Sequence, residues 1–438
     1  VESLKVISRT SVMALKGTRL TLPQIAETLG VRHLVEGSVR REGDRVRVTA
    51  QLIEARSDAH LWAGSFEGSL ADSFRVQEEI ARKVSSQLVS GLRSGMRPMP
   101  EGAMPAHSAA FDAVLRGRYL LERRTAESMA GAIEAFEEAV RLDTSYAAAY
   151  AGLSNAYSVW VMYGYRGQPE RYLAAARARA AADRAIALDP GLATAHHALA
   201  DALDLAKAPE ENVMAALRNA QRLMPSSAEV QMGIAFALSR ANRHEQSLAQ
   251  AQRALSLDPL ATGLRHGLII LALSARRYDV AFEEARRARG FAPGDPVPVV
   301  LMAYALLLRG EPERCAGLDL GPWLAVRAMC LHAVGRVDEA RRLADSLATS
   351  LLAGDYQLVH QYADLAAYHA WLGDADGAVE WMERAAKLTP FINYWQINAG
   401  LFDRVVKDPR FAQGLARVEE QVRARVDQER RKLDRRAG

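Results

Sequence analysis

Small apolar residues return along this chain at a fixed interval, and prolines return with them. Pro190, Pro225, Pro259 and Pro293 stand 35, 34 and 34 residues apart, and Thr144 and Pro390 hold the same place in outlying copies. Five residues before each of these sits an alanine: Ala139, Ala185, Ala220, Ala254, Ala288 and Ala385. Seven residues earlier again come Ala132, Ala178, Val213, Ser247, Ala281 and Ala378. An interval of seven keeps both small residues on one stripe of a helix. Two antiparallel helices approach closely only where such a stripe is small. Larger residues preceding the stripe supply the partner helix: Tyr150, Leu153 and Tyr157 in one copy, Leu199 and Leu203 in the next. Proline then stops the second helix, since it lacks an N–H and clashes with the preceding turn. The pattern predicts an array of helix pairs over residues 107–409, with seven clear copies. In an eighth, from Pro296 to Leu320, Gly310-Glu311-Pro312 and the Gly317–Pro322 stretch break the second helix.

The first 92 residues follow a different period. Val46, Val48, Ala50 and Leu52 alternate with Arg45, Arg47, Thr49 and Gln51, after a similar alternation from His33 to Arg41 and a Glu42-Gly43-Asp44 turn. That is a β-hairpin with one buried face. Thr21-Leu22-Pro23 opens a short helix that Gly30 closes. Leu4 to Ile7 reads as a strand, and Phe74 to Leu92 as an amphipathic helix with Phe74, Gln77, Ala81, Val84 and Leu88 on one face. Residues 93–106, with Gly95, Pro98, Pro100, Gly102 and Pro105, read as a linker.

The 34-residue period with its alanine stripes resembles the tetratricopeptide repeat family. The fold expected is mainly α, a right-handed superhelix of repeats behind a small α/β domain. That leading domain resembles the amino-terminal domain of TolB. The resemblance is carried by Val6–Met13, Val35-Glu36-Gly37-Ser38-Val39-Arg40-Arg41, Val46–Ile53, His60-Leu61-Trp62 and Gln77-Glu78-Glu79-Ile80-Ala81. Together the two resemblances imply the sensory or interaction half of a bacterial signalling protein, whose effector is a class III nucleotide cyclase, a serine/threonine kinase or a winged-helix regulator. The TolB-like family has a further strand and helix before Val6, and the chain begins at Val1 without methionine. A fragment of a longer protein is therefore expected, cytoplasmic or tethered to a membrane through a missing segment.

In the repeat register, the residues facing the concave groove would be Asn155, Met232, Phe236, Arg240, His266, Ile270, Leu273, Met329, His332 and Trp371. They are mostly apolar, so the expected partner is an extended or helical apolar segment of a protein or peptide. Equally, the same residues could pack one repeat on the next. Relatives that bind a terminal carboxylate use a lysine- and asparagine-rich clamp, which only Asn155 fits. About twelve extra residues between Tyr157 and Ala178 carry Trp160, Tyr163, Tyr165, Arg166 and Tyr172, side chains that serve as binding anchors or pack internally.

Composition changes little in this picture. Of 438 residues, 49% are apolar and 25% charged, with a net charge of +4 too small to imply nucleic acid. Cys315 and Cys330 lie near no metal-type set of ligands and read as small buried residues rather than a disulfide. No phosphate loop, HExxH, GxSxG or kinase or cyclase signature occurs, so neither catalysis nor a cofactor is expected. His196-His197, being adjacent, diverge by about 100° on a helix. Arg40, Arg41, Arg45 and Arg47 read as a solvated hairpin face. The charged helix at 410–438 reads as a solvated tail, with weak contact to anionic lipid or nucleic acid as the alternative. A stand-alone adaptor of the cell envelope and an enzyme with an unrecognised site are the other readings.

Overall fold

The computed structural model describes residues 6–15, 17–42, 45–57, 59–69, 79–80, 83, 108–123, 125–163, 171–291, 294–354, 360–390 and 394–437. Two compact units emerge, one of residues 1–100 with 256–261, the other of the remainder.

In the first unit, two short helices, α1 (Arg9–Ala14) and α2 (Leu22–Leu29), precede a meander of three antiparallel strands, β1 (His33–Glu42), β2 (Arg45–Glu54) and β3 (Ala59–Ser69), in that order. Thr21 caps α2 and Gly30, in the left-handed region at φ 61°, ends it. The register places Leu52 beside Val35 and Trp62, and Val48 beside Val39 and Phe66. Ala50, Leu52 and Phe66 are buried, and a bulge at Leu52/Ile53 buries Ile53 as well. The other face is polar: Ser38 and Thr49 share a hydrogen bond, and Arg47 pairs with Glu67 at 2.5 Å. The edge strand β1 departs from the one-buried-face expectation, because Val35 and Val39 stay exposed. Val6 and Ile7 form no strand. The Ser8 carbonyl instead accepts the Val12 N–H, turning the backbone into α1. The amphipathic helix expected from Phe74 lies mostly outside the described residues, as do the linker, Leu4 and Lys5; Glu79, Ile80 and Lys83 are helical.

The second unit is a run of helix pairs: α3 (Ser108–Glu122) with α4 (Ala126–Leu142), α5 (Ala147–Tyr163) with α6 (Arg171–Leu188), α7 (Ala193–Leu205) with α8 (Glu210–Leu223), and α9 (Ala228–Arg240) with α10 (His244–Leu257). Then follow α11 (Thr262–Ser274) with α12 (Tyr278–Phe291), α13 (Val297–Leu308) with the five-residue α14 (Pro312–Ala316), α15 (Leu324–Ala333) with α16 (Val337–Ala353), and α17 (His360–Leu372) with α18 (Ala375–Ala386). The second helix of most pairs packs between its own partner and the first helix of the next. Around α8, for example, Val213, Leu217 and Ala220 meet Ala200 and Leu203 on one side and Val230, Ile234 and Leu238 on the other. All twelve stripe residues are buried. The unit is an α–α solenoid of stacked helix pairs.

The turn inside the last six pairs has one form. Lys207, Asn242, Arg276, Gly310, Gly335 and Gly373 adopt φ between 53° and 86°. The next residue's N–H then reaches back to the helix before it, as Ala208 does to Leu203, Arg277 to Ala272 and Asp374 to His369. Glycine enters this conformation without steric cost, whereas lysine and arginine do not. A second local requirement is the slot for Phe136. Its fully buried ring lies 2.9 Å from where a Cβ on Gly117 would stand, and closer still to one on Gly152.

Two expectations are corrected here. Cys315 and Cys330 are buried, but they are bonded to each other, with their Cα atoms 5.5 Å apart. The truncation of α14 to five residues sets Cys315 beside α15, which spacing alone did not reveal. The final helix, α20 (Pro409–Ala437), is not a solvated tail. Phe411, Val418, Val422 and Val426 are at most 2% exposed, and the helix packs along α18 and α6.

Candidate functional site

First helices of successive pairs stand side by side, so residues at one position of each form a row across the array. Six residues before the positive-φ turns lie Phe236, Ile270 and Tyr304. Phe236 is 39% exposed, Ile270 half-buried and Tyr304 1% exposed. Met329, at the same position of a later pair, is wholly buried between repeats. A short helix, α19 (Tyr394–Asn398), packs on α11, and its Trp395 and Gln396 side chains reach Tyr304.

The contacts are polar and aromatic. The Tyr304 hydroxyl donates to Asp364 at 2.7 Å, and the Gln396 side-chain amide donates to the same Asp364 oxygen at 2.8 Å and to Tyr304 at 3.2 Å. Trp395 meets the Tyr304 ring edge-on at 5.3 Å. Arg276 holds Asp403 through two hydrogen bonds of 2.6 and 2.7 Å and donates to the Asn398 carbonyl. The Tyr278 hydroxyl donates to the Ala399 carbonyl, and the Arg404 guanidinium lies over Trp371. Lys207 sits over the Tyr394 ring, whose hydroxyl donates to Glu419 at 2.7 Å. Tyr278, Leu307, Trp371, Leu401 and Arg404 line a cleft of about 320 Å³ between the array and this segment.

Burial sets the protonation chemistry of the site. It pushes the Asp364 carboxyl up to about 6, against the two hydrogen bonds it accepts. It lowers Lys207 to about 8, with Glu419 pulling the other way. Tyr394 is raised by burial and by its bond to Glu419. His360 falls to about 4 through burial and the nearby Arg171 charge.

The sequence-predicted groove residues divide accordingly. Leu273 and Met329 are wholly buried and Met232 nearly so; their work is packing between repeats. Arg240 pairs with Asp204, and His266 Nε2 lies 2.9 Å from Asp295. Burial opposes ionisation of Asp295, but hydrogen bonds from His266 and the Val297 N–H hold its carboxyl low. Asn155, His332 and Trp371 are half-buried, the last beneath Arg404. Phe236 and Ile270 keep accessible surface. In the insert, Trp160 is buried, the Tyr163 side chain lies outside the described residues, and so do Tyr165 and Arg166. Tyr172, also in the insert, packs internally: its buried hydroxyl donates to the Ala386 carbonyl of the last pair. Sequence reasoning missed the whole 394–408 segment. The three non-glycine turn residues were the signal that could have drawn attention to the turns.

Among the described residues no three or more His, Cys, Asp or Glu side chains gather to hold a metal ion, and no helix is long and apolar enough to cross a membrane.

No family model matches the chain. Over 154 residues it is 34% identical to a protein of Rhizobium meliloti (strain 1021) named "Putative adenylate cyclase 3"; the match takes in 35% of this chain and 26% of that protein. The chain thus spans about a quarter of that relative. Among solved structures it is similar to yeast Tom70 (17% identity, 78% of this chain and 76% of that one, TM-score 0.42). It is also similar to TTC0263, a thermophilic tetratricopeptide repeat protein of Thermus thermophilus (20% identity, 45% and 100%, TM-score 0.38). A third is YrrB, described as a tetratricopeptide repeat protein with an unusual peptide-binding site (17%, 48% and 97%, TM-score 0.31).

Proposed function

We propose that this chain is a non-catalytic protein-interaction module, the sensory or regulatory part of a signalling protein, with a TolB-like domain ahead of the repeats. A protein or peptide segment docks on the first-helix face at the α9–α11 pair of helices. The observation that carries this reading is Phe236, 39% exposed beside half-buried Ile270, where Tyr304 at the same position is covered by the chain's own segment. An aromatic and a branched aliphatic side chain left accessible beside a covered equivalent are suited to anchor an apolar segment. The stretch related to a cyclase-named protein supports a nucleotide-signalling context, with any effector chemistry carried outside these residues.

The test is affinity capture with the 438-residue chain and with Phe236→Lys, at an exposed position. A partner should be retained by the first and lost by the second, at equal thermal midpoints. Equal capture by both chains would remove the face from consideration.

A further inference from the structure

Resting on that reading, we infer that residues 394–408 are an intramolecular ligand: an autoinhibitory strap occupying the first-helix face beyond Phe236 and Ile270, which a partner of like chemistry displaces. The strap's own contacts define that chemistry. They comprise an aromatic pair, Tyr394-Trp395, an amide at Gln396, and a carboxylate seven residues on at Asp403. The receiving groups lie on four different helix pairs: Lys207, Arg276, Tyr304 and Asp364.

Two features separate the strap from an ordinary connection. First, it is recognised as ligands are, through a bidentate arginine–carboxylate pair, an amide satisfied by a tyrosine and a buried aspartate, and an edge-on aromatic contact. Second, the array bends its own rules to make those contacts. The intra-pair turn takes glycine at residues 310, 335 and 373, yet lysine and arginine occupy the same positive-φ position at 207 and 276. Both side chains reach the strap. Backbone strain held where a ligand is gripped is characteristic of recognition sites. Lifting the strap would uncover Leu401, Phe402 and Val405, each at most 2% exposed, so the open state calls for a partner that covers them again.

The experiment uses the full chain and a charge swap. Arg276→Glu and Asp403→Arg each place like charges at the pair, and together they restore opposite charges. The pair is half-exposed, so each single change should speed amide hydrogen exchange across 394–408 about 5- to 10-fold. Exchange in α13 and α17 should stay unchanged and the double variant should return to the wild-type rate. A labelled synthetic peptide of residues 394–408 carrying Asp403→Arg should bind the Arg276→Glu chain at least tenfold more tightly than the unmodified peptide does. The inference is overturned if 394–408 exchanges in step with α13 and α17 in every variant, which would make it part of one cooperative core. It is also overturned if the two peptides bind alike. Neither measurement involves an external partner, so failure of the capture experiment leaves this result readable by itself.

Discussion

Asp364 offers a prediction whose size and sign both follow from its surroundings. The side chain is buried in α17 and accepts hydrogen bonds from Tyr304 and Gln396 on one oxygen. Burial raises its ionisation from 3.8 to about 6 despite those bonds. Between those two values the folded chain holds a proton that the unfolded chain has released, so stability falls as pH rises through this window. Below about 4 no penalty operates; above about 6 it is complete. A shift of about two units corresponds to roughly 3 kcal/mol. Asp364→Asn keeps the accepting oxygen and has no proton to lose. At pH 8 the variant should therefore be more stable than the wild type by up to about 3 kcal/mol. At pH 4 the two should differ little. Thermal melts of both chains from pH 4 to 8 measure this, because other titrating groups are common to both and cancel in the difference. Midpoints that run parallel at all pH values would refute the reasoning. So would a variant that is less stable by a constant amount, since hydrogen-bond geometry and not charge burial would then govern the site.

Three further outcomes follow from packing. Gly152→Ala would ordinarily favour a helix by about 1 kcal/mol, but its Cβ meets the buried Phe136 ring, which Gly117 confines from the other side. A net loss of about 1–3 kcal/mol in urea denaturation is expected, and a gain would mean that the ring can move. The Cys315–Cys330 bridge spans 15 residues, so reduction or the double serine variant should cost about 3 kcal/mol, and peptide mapping without reductant should recover the linked pair. Finally, Ala254→Leu places a bulky side chain on a wholly buried stripe of α10 and should lower the melting midpoint, whereas a surface change such as Gln252→Leu should leave it within error.

Much of the repeat fold was legible because its rules are local. Ala220 and Ala254 are buried for the reason their spacing implies: a helix of 3.6 residues per turn brings residues seven apart onto one side. The β1–β2 register was likewise readable from the alternation around Val46–Leu52. The candidate site was less so. Phe236 and Ile270 follow from register, but Leu273 and Met329 belong to the same register and are buried, because the fit between neighbouring repeats decides which side of the row is covered.

What the sequence determined by itself is the repeating unit: helix, small-striped helix, proline. What only the tertiary structure decided is where the chain returns on itself. Gln396 meets Tyr304 across 92 residues, Arg276 meets Asp403 across 127 and Tyr172 meets Ala386 across 214. The valine stripe of α20 is buried for the same reason. No period links such pairs. Local patterns record the geometry of one helix against its neighbour, whereas the curvature accumulated over eight pairs sets which distant surfaces come within reach of a hydrogen bond.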